Sequence, residues 1–485
     1  MLSRVFRVHF VGIGGIGMSG IAEVLLVQGW PVSGSDVRAS AITERLAGLG
    51  ARIAIGHAAE NLGDAEVVVV SSAVAADNPE VQAARAGQIP VIPRAEMLAE
   101  LMRLKFGIAV AGMHGKTTTT SLIATALAGV GLDPTGVVGG RLDSIGSNAR
   151  LGSSAYLVAE ADESDRSFLQ LSPIVAVITN LDREHLDCYR DLEDIQAAFV
   201  EFANRVPFYG TVLAGADDDA TRAIVGRIRR RVLTYGLHAE SELQVVEPRL
   251  AGLESRFRLR ATAAAAHLFG RETLGSPDLG EFRLARPGLH NVLNATAAVG
   301  VGLLLGRDLE MIRTAIAGFR GVDRRFQIRG EAGGVTVVDD YGHHPTELAA
   351  TLRAARQVAT ASEPPGRVLM IFQPHRYTRT HFLEGEFAQV LGLADASWLL
   401  DIYSAGEAPI AGVSAERLAE RARAGGAACE YAGDAETAIA AAAAAARPHD
   451  LILTQGAGSV SGLGDKLLAA LAQRGAAART APRAR

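Results

Sequence analysis

Short apolar runs, each closed by glycine or an acidic residue, alternate along this chain with longer stretches whose apolar positions recur at helical spacing. Residues 5–11 (VFRVHFV) read as a strand, GIGGIG (12–17) as a turn, MSGIAEVLLVQG as a helix and PVSGSD as the next strand. The alternation continues through ARIAIG, the wholly apolar VVVV of 67–70, a helix near Pro79 to Ala86, and IPVIPR. Strands that are apolar on both faces predict a parallel sheet covered by helices on each side. Residues 1–105 are therefore expected to form a Rossmann-like domain.

The pattern restarts at FGIAVAGMHGKTTTTSLIATALAGVG, again strand, glycine loop and helix, and runs on through AYLVAEADESD and PIVAVITNLDREH. Both later segments set acidic or polar residues just past an apolar strand, where ligands bind in open α/β sheets. This second domain is expected over 106–320, ending in the helical NVLNATAAVGVGLLLG and MIRTAIAGF. A third, 321–485, opens with the strand of GVTVVDDYGHHP and alternates through RVLMIFQPH, ASWLLDIY and HDLILTQGAGS. The alanine run near 440 favours helix, and the terminal AAARTAPRAR is expected to fray. The fold class is α/β in three domains.

Length supports that division, because 485 residues exceed one ordinary core and a prior of roughly 100 to 200 residues per domain gives about three. The net charge of -5 argues against a general nucleic-acid or anionic-membrane surface, so any polyanionic ligand must be held locally. No apolar run approaches the roughly 20 residues that span a bilayer. With no signal-like opening, and only Cys188 and Cys429 as thiols, a cytoplasmic protein without disulfides is expected. Lysine occurs only at 105, 116 and 466, which makes Lys116 conspicuous inside a glycine loop.

That loop is Gly112-Met113-His114-Gly115-Lys116-Thr117-Thr118. Its glycines admit backbone N–H groups to phosphate oxygens, Lys116 adds charge, and the Thr117 hydroxyl suits Mg²⁺. It departs from the usual phosphate loop in having Val110 at the first glycine position. Gly12, Gly14 and Gly17 form GxGxxG, with Asp36 closing the next strand where a ribose-binding acid would stand. Alone this suggests NAD, but a UDP-sugar presents the same pyrophosphate and ribose. Glu160, Asp162, Glu163 and Asp165 crowd negative charge that a cation would offset, with His185 following a later strand end. His290, Asn291 and Asn294 occupy the first turns of one helix, suited either to capping or to reading an adenine edge. Arg324 and Arg325 precede Tyr341, His343 and His344, and FQPHRYTRT supplies His375, Arg376 and Arg379, a pair of arginines fitted to a carboxylate or phosphate.

HFVGIGGIGMSGIA, SSAVAADNPE, PRAEMLAELMR, the HGKTTTT loop, EADESD, TNLDREHLD, HNVLNA, RRF, DDYGHHPTE and FQPHRYTRT together resemble, in order, the Mur ligase family. The resemblance implies a UDP-binding first domain, a central ATPase domain and a Rossmann-like third domain that closes on an amino acid. It implies ATP and Mg²⁺ or Mn²⁺ as cofactors, and UDP-N-acetylmuramate and L-alanine as substrates, joined through an acyl phosphate by a monomer or homodimer. Thr117, Glu160 and His185 would be metal ligands. Residues 112–118 with His290, Asn291 and Asn294 would hold ATP, and Gly14, Gly15, Gly17, Asp36, Ser71, Ser72 and Tyr341 the UDP-substrate. Lys116, Glu160, His185, Arg324, His343, Arg376 and Arg379 would carry catalysis. Met113 and Glu184 stand where the family commonly has threonine and aspartate. No lysine lies between 116 and 466, so the carbamylated lysine of some sister ligases has no counterpart. A related ligase reattaches a recycled tripeptide to the same UDP-sugar with the same ATP motifs; GIGGIGMSGIA and EADESDRSFL favour alanine as the acceptor.

Overall fold

The computed structural model describes residues 6–71, 73–142, 147–150, 152–186, 188–270 and 278–480. Ser72 lies outside them. Three sheets organise the chain, and two compact units contain them: one of residues through Val246 with Arg258–Phe282 and Leu293–Val322, the other of Glu247–Phe257, Arg283–Val292 and residues from Asp323 onward.

The first sheet holds β1 (Val8–Val11), β2 (Val32–Asp36), β3 (Arg52–Ile55), β4 (Val67–Val70) and β5 (Val91–Pro93) in the order β3-β2-β1-β4-β5, all neighbours parallel. Val69 faces the large core of this unit, whereas Val68 and Val11 face a smaller one with Leu62 and Ala84. That two-sided burial is why the strand reads as an unbroken apolar run. Asn78 caps helix Pro79–Ala86, its side chain accepting the Glu80 and Val81 N–H groups, and proline fits the first turn because it has no N–H to satisfy.

The second sheet comprises β6 (Phe106–Ala111), β7 (Thr135–Leu142), β8 (Ser147–Arg150), β9 (Tyr156–Glu160), β10 (Val175–Ile178), β11 (Thr211–Gly215), β12 (Arg231–Gly236), β13 (Leu243–Ala251), β14 (Glu254–Ala261) and β15 (Asp278–Leu284). Their order is β15-β14-β13-β12-β11-β10-β6-β9-β7-β8. The apolar β6 is central, parallel to β9 on one side and β10 on the other, so the loops after all three leave the same sheet edge. Strands β12 to β15 occupy a stretch to which the sequence reading assigns no element.

The third sheet runs β16-β17-β21-β18-β19-β20, from β16 (Gln327–Ala332), β17 (Val335–Asp340), β18 (Val368–Phe372), β19 (Ala396–Leu400), β20 (Cys429–Gly433) and β21 (Leu451–Gln455). Only the β16–β17 pair is antiparallel among those described. Met370 and Phe372 pack on one face with Leu348, Leu352 and Phe387, while Leu369 and Ile371 pack on the other with Trp398, Ile439 and Leu467. The domain opens with β16 rather than with the strand of GVTVVDD; QIRGEA is polar because β16 is a largely exposed edge strand. A helix continues through Thr480, and the rest of the tail, 481–485, lies outside the described residues. No helix among the described residues is long and apolar enough to cross a membrane.

Candidate active site

The loop between β6 and helix Lys116–Gly129 is built by close approach. Gly112 has φ 132°, and a Cβ there would stand 2.0 Å from Thr179 Oγ1; Gly115, at φ 82°, would bring one 2.8 Å from Asn294 Oδ1. Neither position admits a side chain without moving its neighbours. Val110, at the missing first glycine, is fully buried within β6 opposite Val177 and Glu160, so the loop begins later than in the usual phosphate loop. The end of β10 holds the loop's shape: Thr179 Oγ1 donates to His114 O at 2.6 Å, Asn180 Nδ2 to the same oxygen at 3.0 Å, and His114 N donates to Asn180 Oδ1 at 2.9 Å. The His114 ring meets Asp182 Oδ2 at 2.9 Å. Met113 is buried, as are Thr117 and Thr118 in the first turn of the helix.

Lys116 lies beneath this loop. Its Nζ donates to Gly112 O at 2.6 Å, Met113 O at 3.3 Å and Glu163 Oε1 at 2.6 Å. Burial alone would depress the lysine pKa, but Glu163, and beyond it Asp162 and Glu160, outweigh burial and raise it, so the ammonium keeps its charge. The sequence expectation placed Glu160 and His185 with Lys116. In the structure Glu160 ends β9, while the carboxylate touching Lys116 is Glu163, whose Oε1 also lies 3.5 Å from His185 Nε2. His185 adopts φ 54°, and Tyr189 OH donates to Glu163 O at 2.7 Å. Glu163 is 1% exposed, and its Oε2 has no hydrogen-bond partner in the protein. A buried carboxylate oxygen left over beside an imidazole and further acids is a donor set that fits a hard divalent cation.

The first glycine loop is held differently. Asp36 Oδ2 accepts the Gly14 N–H at 2.8 Å, and Gly12 N and Ile13 N donate to Ser35 O. Gly15 caps helix Ile16–Val27 without a side-chain acceptor, and the Val74 N–H donates to the Ser71 carbonyl across the following turn. A Cβ on Gly17 would lie 2.6 Å from the Arg94 guanidinium, which reaches on to pair with Asp162 at 3.1 Å. Arg94 thus joins the first loop to the acidic strand end, a link that PRAEMLAELMR does not disclose as sequence.

The helix Leu289–Leu304 divides its polar residues. Asn291 Nδ2 donates to Pro287 O at 2.7 Å, whereas Asn294 Oδ1 accepts from Thr119 Oγ1 at 3.1 Å. Burial, aided by Arg325, pushes the His290 pKa down to about 4, leaving a neutral ring.

In the second unit Arg324 is anchored by Asp339 Oδ2 at 3.2 Å and Gly456 O at 2.7 Å, with its guanidinium 4.8 Å from the Tyr341 ring. Asp340 accepts the N–H groups of Phe326 and Gly342, each at 2.8 Å, and burial pushes its pKa up to about 6 against the pull of Arg325. It pins the turn that carries Tyr341 and His343. The His343 ring lies 5.3 Å from that of His375, which stacks on Tyr403 at 5.5 Å. Arg379 Nη1 stands 3.1 Å from His375 Nδ1; a guanidinium only donates, so Nδ1 accepts and the ring proton sits on Nε2. Burial, then His343, Arg379 and Arg376, push the His375 pKa down to about 3. Arg376 lies 3.9 Å from Glu407, which accepts from Thr378. The sequence-predicted His343, Arg376 and Arg379 are thus brought around His375 and Tyr403, a cationic corner suited to a carboxylate.

A lysine-bearing glycine loop facing a carboxylate-rich strand end is the construction of a nucleoside-triphosphate site. The chain belongs to the Mur ligase family: residues 7–106 match the model described as Mur ligase family, catalytic domain, 110–302 the Mur ligase middle domain, and 324–458 the Mur ligase, glutamate ligase domain. It is 55% identical to the UDP-N-acetylmuramate–L-alanine ligase of Koribacter versatilis over 99% of this chain and 100% of that protein, and 54% identical to the ligase of the same name from Solibacter usitatus over 98% and 97%. The crystal structure of the UDP-N-acetylmuramate-alanine ligase of Thermotoga maritima is similar with TM-score 0.75 and 28% identity, over 98% of this chain and 100% of that one. A murein peptide ligase from Psychrobacter arcticus shares the fold, with TM-score 0.68 at 22% identity over 96% and 99%.

Proposed function

We propose that this chain joins L-alanine to the lactyl carboxylate of UDP-N-acetylmuramate at the expense of ATP, a step in building peptidoglycan precursors. The observation that carries this reading is identity above one half with ligases of that activity over the whole length of both chains. The substrate carboxylate attacks the γ-phosphorus and ADP leaves; the alanine amine then attacks the acyl phosphate, and phosphate departs as the amide forms. Phosphorylation makes a leaving group of an oxygen that a bare carboxylate cannot expel.

Lys116 and the loop N–H groups stabilise the phosphate charge that shifts during transfer. Thr117, Glu160, His185 and the neighbouring Glu163 would hold Mg²⁺ or Mn²⁺, which when bound neutralises polyphosphate charge. His290, Asn291 and Asn294 serve the adenine side of the site. Gly14, Gly15, Gly17, Asp36, Ser71 and Ser72 hold the UDP moiety. Arg324, Tyr341 and His343 serve the phosphate and substrate carboxylate, and Arg376 with Arg379 forks the carboxylate of alanine. These duties are apportioned to domains 1–105, 106–320 and 321–485. The enzyme would work in the cytoplasm as a monomer or homodimer, serving wall biogenesis and through it cell shape and division.

The test is phosphate release from ATP with UDP-N-acetylmuramate and Mg²⁺, comparing L-alanine, an L-alanyl tripeptide and no acceptor. Release that depends on L-alanine is expected. Release with tripeptide alone would assign the chain to peptide recycling, and release with neither would refute ligation.

A further inference from the structure

Lys116 spends all three of its N–H donors on the protein. Two go to the main-chain carbonyls of Gly112 and Met113, and the third to Glu163 Oε1. An ammonium carries three hydrogens and no acceptor, so a phosphate oxygen reaches this lysine only by displacing one of those partners. The carbonyls belong to a loop pinned by Thr179 and Asn180. Glu163 is a side chain with torsional freedom, and it is therefore the partner that yields. Its departure would leave a buried carboxylate uncompensated, which is strongly unfavourable unless another cation takes the place of the lysine. Its second oxygen already lacks a hydrogen-bond partner in the protein although the residue is buried, and His185 Nε2 stands 3.5 Å from the first.

We propose that Glu163 is an exchange gate on the phosphate loop. It holds Lys116 until a nucleoside polyphosphate arrives together with a divalent cation, then releases the lysine to phosphate while its carboxylate turns to the cation. The proposal rests on the nucleotide reading of the loop. Nucleotide without metal leaves Lys116 on Glu163 and brings negative charge up to a carboxylate without help from the lysine, so it binds weakly. Nucleotide with metal meets neither obstacle. Glu163 thereby makes the binding of nucleotide and cation conditional on one another, a coupling that works equally in both directions.

The experiment measures calorimetric affinity for ADP and for β,γ-methylene-ATP, with Mg²⁺ and with EDTA, in the unaltered chain and in Glu163→Gln. Glutamine keeps the size of the side chain and an acceptor for Lys116 but removes the charge. The metal-free affinity should rise about tenfold, the scale of one charge-assisted hydrogen bond, and the gain on adding Mg²⁺ should shrink by about the same factor. An unchanged metal-free affinity with an unchanged gain overturns the gate.

A second measurement needs no substitution at the site. With lysine only at 105, 116 and 466, side-chain nitrogen NMR can resolve Lys116, assigned by Lys105→Arg and Lys466→Arg. At matched occupancy its signal should move with Mg²⁺-nucleotide and stay near its starting position with nucleotide in EDTA. Equal movement in both overturns the gate even if Glu163→Gln fails to fold. If the unaltered chain binds no nucleotide under either condition, the phosphate-loop reading itself falls, which is distinct from binding with unaltered coupling.

Discussion

The two glycine loops of the first unit solve one backbone problem with different charges. Each follows an apolar strand, turns at a glycine of positive φ, 76° at Gly12 and 132° at Gly112, and feeds a helix with no side-chain cap. Each also has a carboxylate close by. Asp36 accepts a neutral amide N–H from Gly14, whereas Glu163 accepts from the ammonium of Lys116. The cation set against the first loop at Gly17 is Arg94, already paired with Asp162. Glycine spacing therefore sets the cradle, and side chains arriving from neighbouring strands decide how strongly the cradle answers charge. A pyrophosphate on the first loop would meet chiefly N–H dipoles; a triphosphate on the second would also meet a full positive charge, one that the proposed gate must first release.

The largest effect that tests this contrast is loss of the charge itself. Lys116→Met should lower L-alanine-dependent phosphate release by about a thousandfold, the scale of removing one preorganised donor to developing charge, with little change in KM for UDP-N-acetylmuramate. Activity within tenfold of the unaltered enzyme would break the contrast, because both loops would then work by dipoles. Next comes the cradle. Gly112→Ala places a methyl group 2.0 Å from Thr179 Oγ1 and 3.0 Å from the Thr179 nitrogen in a conformation that alanine resists. It should destabilise the fold by about 1–3 kcal/mol, read by denaturant melting, and weaken nucleotide binding. A melt like that of the unaltered chain would show that the loop tolerates displacement.

The second loop was legible in sequence because its parts are contiguous: an apolar strand, two glycines, lysine and threonine within a few positions. What the sequence left open depends on which side chains meet across strands. Four acids lie between Glu160 and Asp165, and nothing in their order says that Glu163 rather than Glu160 turns under Lys116. The turn after β9 decides it, with Tyr189 holding the Glu163 carbonyl from a distant segment. Arg94 is invisible for the same reason, since its partners Gly17 and Asp162 lie far away along the chain. Strand β14 did carry a signal, since ESRFRLRA alternates arginine with apolar residues at the period of a half-buried strand, whereas the outer half of β13, EPRLA, is exposed and holds a proline. In the third sheet β18 and β21, buried on both faces, were plain, whereas β16 was not. The pairing of His343 with His375 joins two loops that only the sheet order brings together.

Smaller effects belong to the first loop. In Gly14→Ala the new methyl group would meet side-chain ends alone, Asp36 Oδ2 at 2.8 Å and the Thr43 methyl at 3.1 Å, which can give way as the main chain at Thr179 cannot. The KM for UDP-N-acetylmuramate should rise about three- to tenfold, the worth of one backbone hydrogen bond, while the KM for ATP holds. Asp36→Asn should do less still, under about threefold, because the amide oxygen can go on accepting the Gly14 N–H and only charge is lost. The two substitutions separate the roles open to Asp36. If Asp36→Asn proves the more damaging in a KM measurement, the carboxylate must be serving the ligand, as an acceptor for ribose hydroxyls, and must leave Gly14 when the UDP moiety binds. The first loop would then operate as the second is proposed to, by exchanging a protein partner for a ligand, and the difference between them would narrow to the sign of the group released.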